Sequence, residues 1–226
     1  MDLSIIVPAF NEETPIAEVL MRVLALSFDP LEWEVVVVDD GSFDGTAEIL
    51  KGFSDESRLK ILTHKKNQGK GAALRSGLEY SSGGIVAFQD SDLEYDPGQL
   101  PALVREIQRG ADVVYGSRFL GRVEDMSFLF YFGNRILSLC TSLIYRAKVT
   151  DMETGFKVFR REALNGLELT SRGFDIEPEI TAKILKKGIA IKEVPIDYKA
   201  RAKAHKKITL GDGVRAFFTL IKYRFR

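Results

Sequence analysis

The sequence predicts an α/β domain built on a mostly parallel sheet with helices on both faces. Three observations carry that expectation. Short apolar, β-branched runs alternate with segments of helical spacing through the first half of the chain. Those runs are continuously apolar rather than alternating, as in strands buried on both faces. Acidic pairs close two of the runs, on the edge where a parallel sheet binds its ligands.

Each element follows from its residues. Residues 3–8 (LSIIVP) read as a buried strand. Asn11 is placed to cap a helix through Leu24, in which Ile16, Val19, Leu20 and Val23 recur at helical spacing. Residues 34–39 (EVVVVD) are a second buried strand, Asp40-Gly41-Ser42 a turn, and Asp44 a cap for a helix to Leu50. Residues 59–62 give a third strand, 71–80 a helix and 84–90 a fourth strand. Pro97 opens a helix to Gln108, followed by a strand over 112–115. The second half is less regular: an apolar helix within 126–145, a strand over 155–159, a helix over 178–187, a strand over 189–198 and a last helix over 210–223. No repeat or linker divides the chain, so residues 1–226 read as a single domain.

Composition bounds the function. The 226 residues are 45% hydrophobic and 28% charged, enough for one sizeable core. Lys+Arg and Asp+Glu both number 32, so nothing global points to nucleic acid, and none is expected as a partner. Basic residues outnumber acidic ones from Lys183 to Arg226, which suggests a local anionic partner such as phosphate or lipid headgroups. Cys140 is alone, which precludes an intrachain disulfide and fits a reducing cytosol. The first ten residues lack the features of a signal peptide. Residues 126–145 would nearly span a bilayer, but Gly133, Asn134 and Arg135 sit at their centre. A central Arg costs roughly 2.5–3.5 kcal/mol on insertion scales. A helix against the protein or in the membrane interface is expected instead.

The chemistry is concentrated in carboxylates. Asp39 and Asp40 close the second strand; Asp90 and Asp92 close the fourth. Crowded carboxylates need a positive partner. A divalent cation with all-oxygen ligands, Mg²⁺ or Mn²⁺, supplies one and would stabilise a departing nucleoside diphosphate. His64 and His205 are the only histidines and lie far apart in sequence, so neither a zinc site nor a His-based triad is expected. Gly69 and Gly71 form a G-x-G without the third glycine of a dinucleotide fingerprint.

These residues also carry a resemblance. Pro8-Ala9-Phe10-Asn11-Glu12, Val38-Asp39-Asp40-Gly41-Ser42 with Asp44-Gly45-Thr46, Asn67-Gln68-Gly69-Lys70-Gly71, Asp90-Ser91-Asp92 and Gly116-Ser117-Arg118 resemble the signatures of family 2 glycosyltransferases with the GT-A fold. Asp151 with Thr154-Gly155-Phe156-Lys157, and Phe174-Asp175-Ile176-Glu177-Pro178-Glu179, resemble the branch making polyprenyl-phosphate sugars, including dolichyl-phosphate mannose and glucose synthases. The resemblance covers nearly the whole chain.

It implies specific roles. Pro8, Phe10, Glu12 and Asp39 would hold the nucleoside, with Asp40, Lys70 and Ser91 also at the nucleotide-sugar. The family more often has Tyr at position 10. Asp90, Asp92 and Glu94 would bind the metal. Arg118, Arg135 and Ser138 match positions that meet the acceptor phosphate, and Arg201 would close on the diphosphate from a basic loop. Asp92, Arg118, Arg135 and Arg201 are thus the expected catalytic set. The implied reaction is metal-dependent, inverting transfer of a hexose from GDP-mannose or UDP-glucose to polyprenyl or dolichyl phosphate. A lipid phosphate is already ionised (second pKa about 6) and needs no general base; a hydroxyl acceptor would need one, and Asp151 is then the candidate. The alternatives are a family 2 enzyme with a saccharide hydroxyl acceptor and a non-catalytic nucleotide-sugar-binding subunit. Residues 199–226 would be a basic loop and amphipathic helix meeting the membrane, so the expected place is cytoplasmic and peripheral at a membrane's cytoplasmic face, alone or with a membrane partner subunit.

Overall fold

A computed structural model of the protein describes residues 1–200 and 210–225. The first half runs β1 (Leu3–Ala9), α1 (Ile16–Leu24), β2 (Trp33–Asp39), α2 (Thr46–Lys51), β3 (Leu59–Thr63), α3 (Lys70–Tyr80), β4 (Ile85–Phe88), α4 (Leu100–Gln108) and β5 (Val113–Ser117). There follow β6 (Val123–Glu124), α5 (Phe128–Tyr145), β7 (Lys157–Arg160), α6 (Arg161–Leu164), α7 (Ile176–Lys186), β8 (Ile191–Pro195), β9 (Tyr198–Lys199) and α8 (Leu210–Phe225).

Seven strands form one sheet in the order β3-β2-β1-β4-β7-β5-β8. All pairs are parallel except those of β7, which runs antiparallel to both β4 and β5. The mostly parallel expectation therefore holds, with one reversed strand in the centre. Period-two geometry then divides the apolar runs between two layers. Ile5, Val7, Val35 and Val37 pack with Val19, Leu20, Leu100 and Leu103 of α1 and α4. On the other face Ile6 and Val86 pack with Leu74, Ile176 and Ile180 of α3 and α7.

Several boundaries differ from the sequence expectation. Asn11 does not cap α1, whose N-cap is Pro15. Asn11 takes a left-handed conformation (φ 50°), and its Oδ1 accepts from Phe43 N at 3.0 Å, tying the β1–α1 loop to the β2–α2 loop. Asp44 does not occupy the N-cap of α2, which is Gly45; it lies one residue earlier and accepts from Thr46 N at 3.0 Å. The expected strand over 189–198 is two pieces. β8 ends at Pro195, which has no N–H to donate, and Tyr198 and Lys199 pair instead with β6. α7 begins two residues before Pro178, which fits in the first turn because N–H groups there have no intrahelical acceptor.

α5 and α8 pack together through Leu137, Ala216, Leu220 and Tyr223, and Tyr145 OH donates to the Leu220 carbonyl at 2.7 Å. By length and composition α5 could cross a membrane. It buries only Leu137, Ser138 and Thr141, and leaves Phe128, Leu129, Phe132, Ile136, Leu139 and Leu143 exposed.

Candidate active site

A cavity of about 470 Å³ opens beyond the carboxyl ends of β1, β2 and β4. Its wall includes Pro8, Phe10, Glu12, Asp40, Lys70, Asp90, Ser91, Asp92, Glu94 and Arg118, so most of the expected site residues converge. Leu129, Phe130, Gly133, Asn134 and Leu137 add one helical face of α5.

Asp40 organises the nucleotide side. Its carboxylate accepts from the N–H groups of Gln68 and Gly69, the latter at 2.7 Å, and meets His64 Nδ1 at 2.6 Å. His64 Nε2 in turn meets Ser76 Oγ at 2.9 Å. An Asp–His–Ser chain thus exists where none was expected, but neither His64 nor Ser76 lines the cavity. Its product is a fixed loop before α3. Gly69 is required there: its φ is 98°, and a Cβ would overlap the Arg172 carbonyl oxygen. Asp39 is 1% exposed and does not reach the cavity wall, because its carboxylate closes the turn onto Ser42 N at 3.0 Å.

Lys70 joins two walls. Its ammonium lies 2.7 Å from Asp90 Oδ1 and 2.8 Å from Glu177 Oε1. Burial works against that charge, but Asp90 and Glu177 outweigh it and hold the pKa well above the usual lysine value. Gly155 lets Asp90 approach, since a Cβ there would overlap Asp90 Oδ2. Asp92 Oδ1 accepts from Glu94 N at 3.0 Å. Glu94 Oε2 accepts from Tyr198 OH at 2.7 Å.

The donor set fits a hard cation in part. Among the described residues no group of three or more His, Cys, Asp or Glu converges, so Asp90, Asp92 and Glu94 do not form a three-carboxylate cage. Asp90 and Asp92 are two carboxylates on one wall, the number Mg²⁺ uses when phosphate oxygens and water complete its shell. The Lys70 ammonium beside Asp90 shows that this position accepts positive charge.

The acceptor-side expectations change most. Arg118 is 5% exposed and grips Asp151 through Nε and Nη2 at 2.7 and 2.8 Å, while its backbone N–H donates to the same carboxylate at 2.9 Å. Burial opposes the guanidinium charge and Asp151 more than restores it. Asp151 is therefore no general base: it is fully buried, saturated by these bonds and absent from the cavity wall. Arg135 is exposed, with its guanidinium 5.3 Å from the Phe119 ring centroid, and does not line the cavity. Asn134 and Leu137 face the cavity, and Arg135 points about 100° away from Asn134 around the helix. Ser138 is 2% exposed and spends its hydroxyl on Asn134 O and Met152 N, so it is structural. Arg201 lies outside the described residues.

With Tyr95, Tyr198 and Asp212, Glu153 is one of the wall residues that sequence reasoning missed. Burial, and then the neighbouring Glu177, push its carboxyl pKa up, while burial pushes that of nearby Lys157 down. Its only signal was its place between Asp151 and Thr154-Gly155.

The family described as "Glycosyl transferase family 2" matches residues 4–167. A dolichol-phosphate mannosyltransferase of Pyrococcus furiosus is 30% identical over 99% of this chain and 64% of its own length. A low-salt glycan biosynthesis hexosyltransferase of Haloferax volcanii is 32% identical over 88% of this chain and 48% of its own length. The chain thus spans less than two thirds of either relative. Glucosyl-3-phosphoglycerate synthase from Mycobacterium tuberculosis, solved with uridine diphosphate, superposes with a TM-score of 0.74 over 99% of this chain and 80% of that one, at 24% identity. The same synthase with Mn²⁺, UDP-glucose and phosphoglyceric acid gives 0.75 at 22% identity. At that identity the likeness establishes the shared GT-A fold.

Proposed function

From the premise that this chain belongs to glycosyl transferase family 2, we propose that it transfers a hexose from a nucleotide-sugar to a polyprenyl or dolichyl phosphate at a membrane surface. One observation carries the reading: a single cavity has Asp90, Asp92 and Lys70 on one wall and an apolar face of α5 on another. The first wall suits a metal-bound diphosphate, and the second suits the start of a lipid chain. The outer side of α5, with Val214 and Phe218 of α8, exposes apolar side chains suited to an interface. The name of the Pyrococcus relative supports the same acceptor, and the names of both relatives support a hexose donor.

Asp90 and Asp92 would hold Mg²⁺ or Mn²⁺, which when bound neutralises the developing charge on the diphosphate. Pro8 and Phe10 would flank the nucleoside. Arg118, fixed by Asp151, would offer its remaining guanidinium N–H groups to an anionic acceptor in the cavity, its charge balanced by that partner. The chain offers no base at Asp151, and a lipid phosphate needs none, which favours it over a hydroxyl acceptor. Attack of the ionised phosphate on the anomeric carbon would invert its configuration. The protein would act peripherally at the cytoplasmic face of a membrane.

The test is transfer of label from UDP-glucose and from GDP-mannose to added polyprenyl phosphate, with Mn²⁺ or with EDTA. Metal-dependent label in the lipid phase is the expected result. Donor binding without lipid label, in the presence of membranes, would overturn the acceptor assignment.

A further inference from the structure

Behind the cavity wall lies a histidine that the proposed reaction does not use. Asp40, Asn67, Gly69 and Lys70 line the cavity; His64 does not. Its ring spans from Asp40, just past the end of β2, to Ser76 on α3, at 2.6 Å from Nδ1 and 2.9 Å from Nε2. Its backbone N–H donates to the Asp39 carbonyl at 2.9 Å. The side chains of His64 and Asp40 are 11% and 3% exposed. Ser76 is a fixed post, because α3 is seated closely: a Cβ at Gly71 or Gly77 would overlap the Ser171 carbonyl oxygen or Ile6 Cγ2. Residues 64–69 form neither helix nor strand. Their place is set by what their N–H groups donate to, and for Gln68 and Gly69 that acceptor is Asp40. Lys70 follows as the first residue of α3 and reaches Asp90 at 2.7 Å.

We propose that His64 is a positioning residue for donor binding: through Asp40 it holds residues 67–70 in the register that sets Lys70 beside Asp90. This rests on the nucleotide-sugar reading above. A carboxylate held only by loop N–H groups moves with its loop, whereas one also tied to a helix holds the loop still. A shift of about 1 Å in a binding group can cost on the order of a hundredfold in rate. The network assigns the ring's protons. A carboxylate only accepts, so Nδ1 carries a proton. A neutral ring then accepts at Nε2 from the Ser76 hydroxyl, and a cationic ring donates there instead. Both bonds survive either charge, so His64 acts here as a clamp and not as an acid or base.

The test is calorimetric titration of the full chain with UDP-glucose and GDP-mannose in Mg²⁺, beside urea denaturation of the same proteins. His64→Ala should bind the sugar nucleotide about tenfold more weakly than wild type. His64→Asn keeps a donor for Asp40 and should bind within about threefold of wild type. Affinity that falls only in step with the urea midpoint, or an Asn variant no better than Ala, would overturn the inference and leave the proposed function standing. Nitrogen NMR of wild-type protein decides the matter even if a variant fails to fold, since the chain has only two histidines. The His64 Nδ1 should stay protonated between about pH 5.5 and 8, and its signal should move on saturation with sugar nucleotide although the ring is off the cavity. An unprotonated Nδ1, or a signal that saturation leaves unmoved, would overturn the inference alone. A wild-type protein that binds neither sugar nucleotide would overturn both.

Discussion

Arg118 and Asp151 form a two-pronged ion pair at 2.7 and 2.8 Å, with side chains only 6% and 0% exposed. The pair joins the end of β5 to the turn before β7, and Glu193 of β8 ties down that turn by accepting from the N–H groups of Thr150 and Asp151 at 2.9 Å. Arg118 is thus held at the cavity by a partner with no access to it.

Asp151→Asn should therefore act on stability first. It leaves a buried guanidinium without its counter-charge, which costs on the order of 3–5 kcal/mol. Urea denaturation reads that loss directly. A fully stable variant whose turnover collapses with the pH profile of a lost base would show that Asp151 does chemistry after all.

Asp40→Ala should loosen the loop before α3. It strips the acceptor from Gln68 N, Gly69 N and His64 at once. An unmade buried group costs about 1–3 kcal/mol, and these three are partly exposed, so the total should fall toward the low end of that range. Nucleotide affinity should fall with stability, because Lys70 follows that loop directly. An unchanged melting temperature would contradict the anchoring role.

Acid stability should report on Glu34. Burial raises its pKa, but hydrogen bonds from Lys60, Ser82 and Ser4 together outweigh burial and bring it to about 2, against an ordinary 4.5. Because the folded value is the lower one, the stabilisation is fully present above about pH 4.5 and is lost as pH falls toward 2. Glu34→Gln should cost roughly 2–3 kcal/mol at neutral pH by that shift. The gap from wild type should narrow through that acid window in denaturation curves taken at stepped pH.

The parallel strands were legible because β1, β2 and β4 are apolar runs, two of them closed by acids, and burial on both faces admits little else. The acids Asp90 and Asp92 were legible by the same position at a strand end, and Lys70 only through the family resemblance. Asp151, Arg135 and Ser138 lie off the cavity wall, which the sequence did not show, because a residue type at a matching position does not say which way its side chain points. One helical step separates Asn134, on the cavity, from Arg135, off it. Glu153 stayed hidden because a buried unpaired oxygen depends on contacts between segments far apart in sequence.

The exposed face of α5 should carry membrane affinity. Leu139 and Leu143 are 58% and 70% exposed, one turn apart on that helix, and Phe218 on α8 is 63% exposed. Full burial of one such side chain is worth about 1.5–3 kcal/mol. Leu139→Glu with Leu143→Glu should lower co-flotation with phosphatidylcholine–phosphatidylglycerol vesicles by tenfold or more and leave nucleotide binding unchanged. Equal flotation of variant and wild type would remove α5 from the membrane contact.

Metal dependence should separate the three carboxylates that the sequence groups together. Asp90, Asp92 and Glu94 all line the cavity, but Glu94 Oε2 is engaged by Tyr198 OH at 2.7 Å. Tyr198 also packs edge-on against Tyr95, whose hydroxyl accepts from Gly155 N at 3.0 Å, so Glu94 helps fix the wall around Asp90. Asp90→Ala and Asp92→Ala should each weaken Mn²⁺ binding in the presence of nucleoside diphosphate by tenfold or more, since each removes one of only two protein carboxylates. Glu94→Gln keeps an acceptor for Tyr198 and should weaken it by less than about threefold. Electron paramagnetic resonance of bound Mn²⁺ measures this without turnover. A loss at Glu94 equal to that at Asp92 would mean that Glu94 leaves Tyr198 to ligate the ion directly.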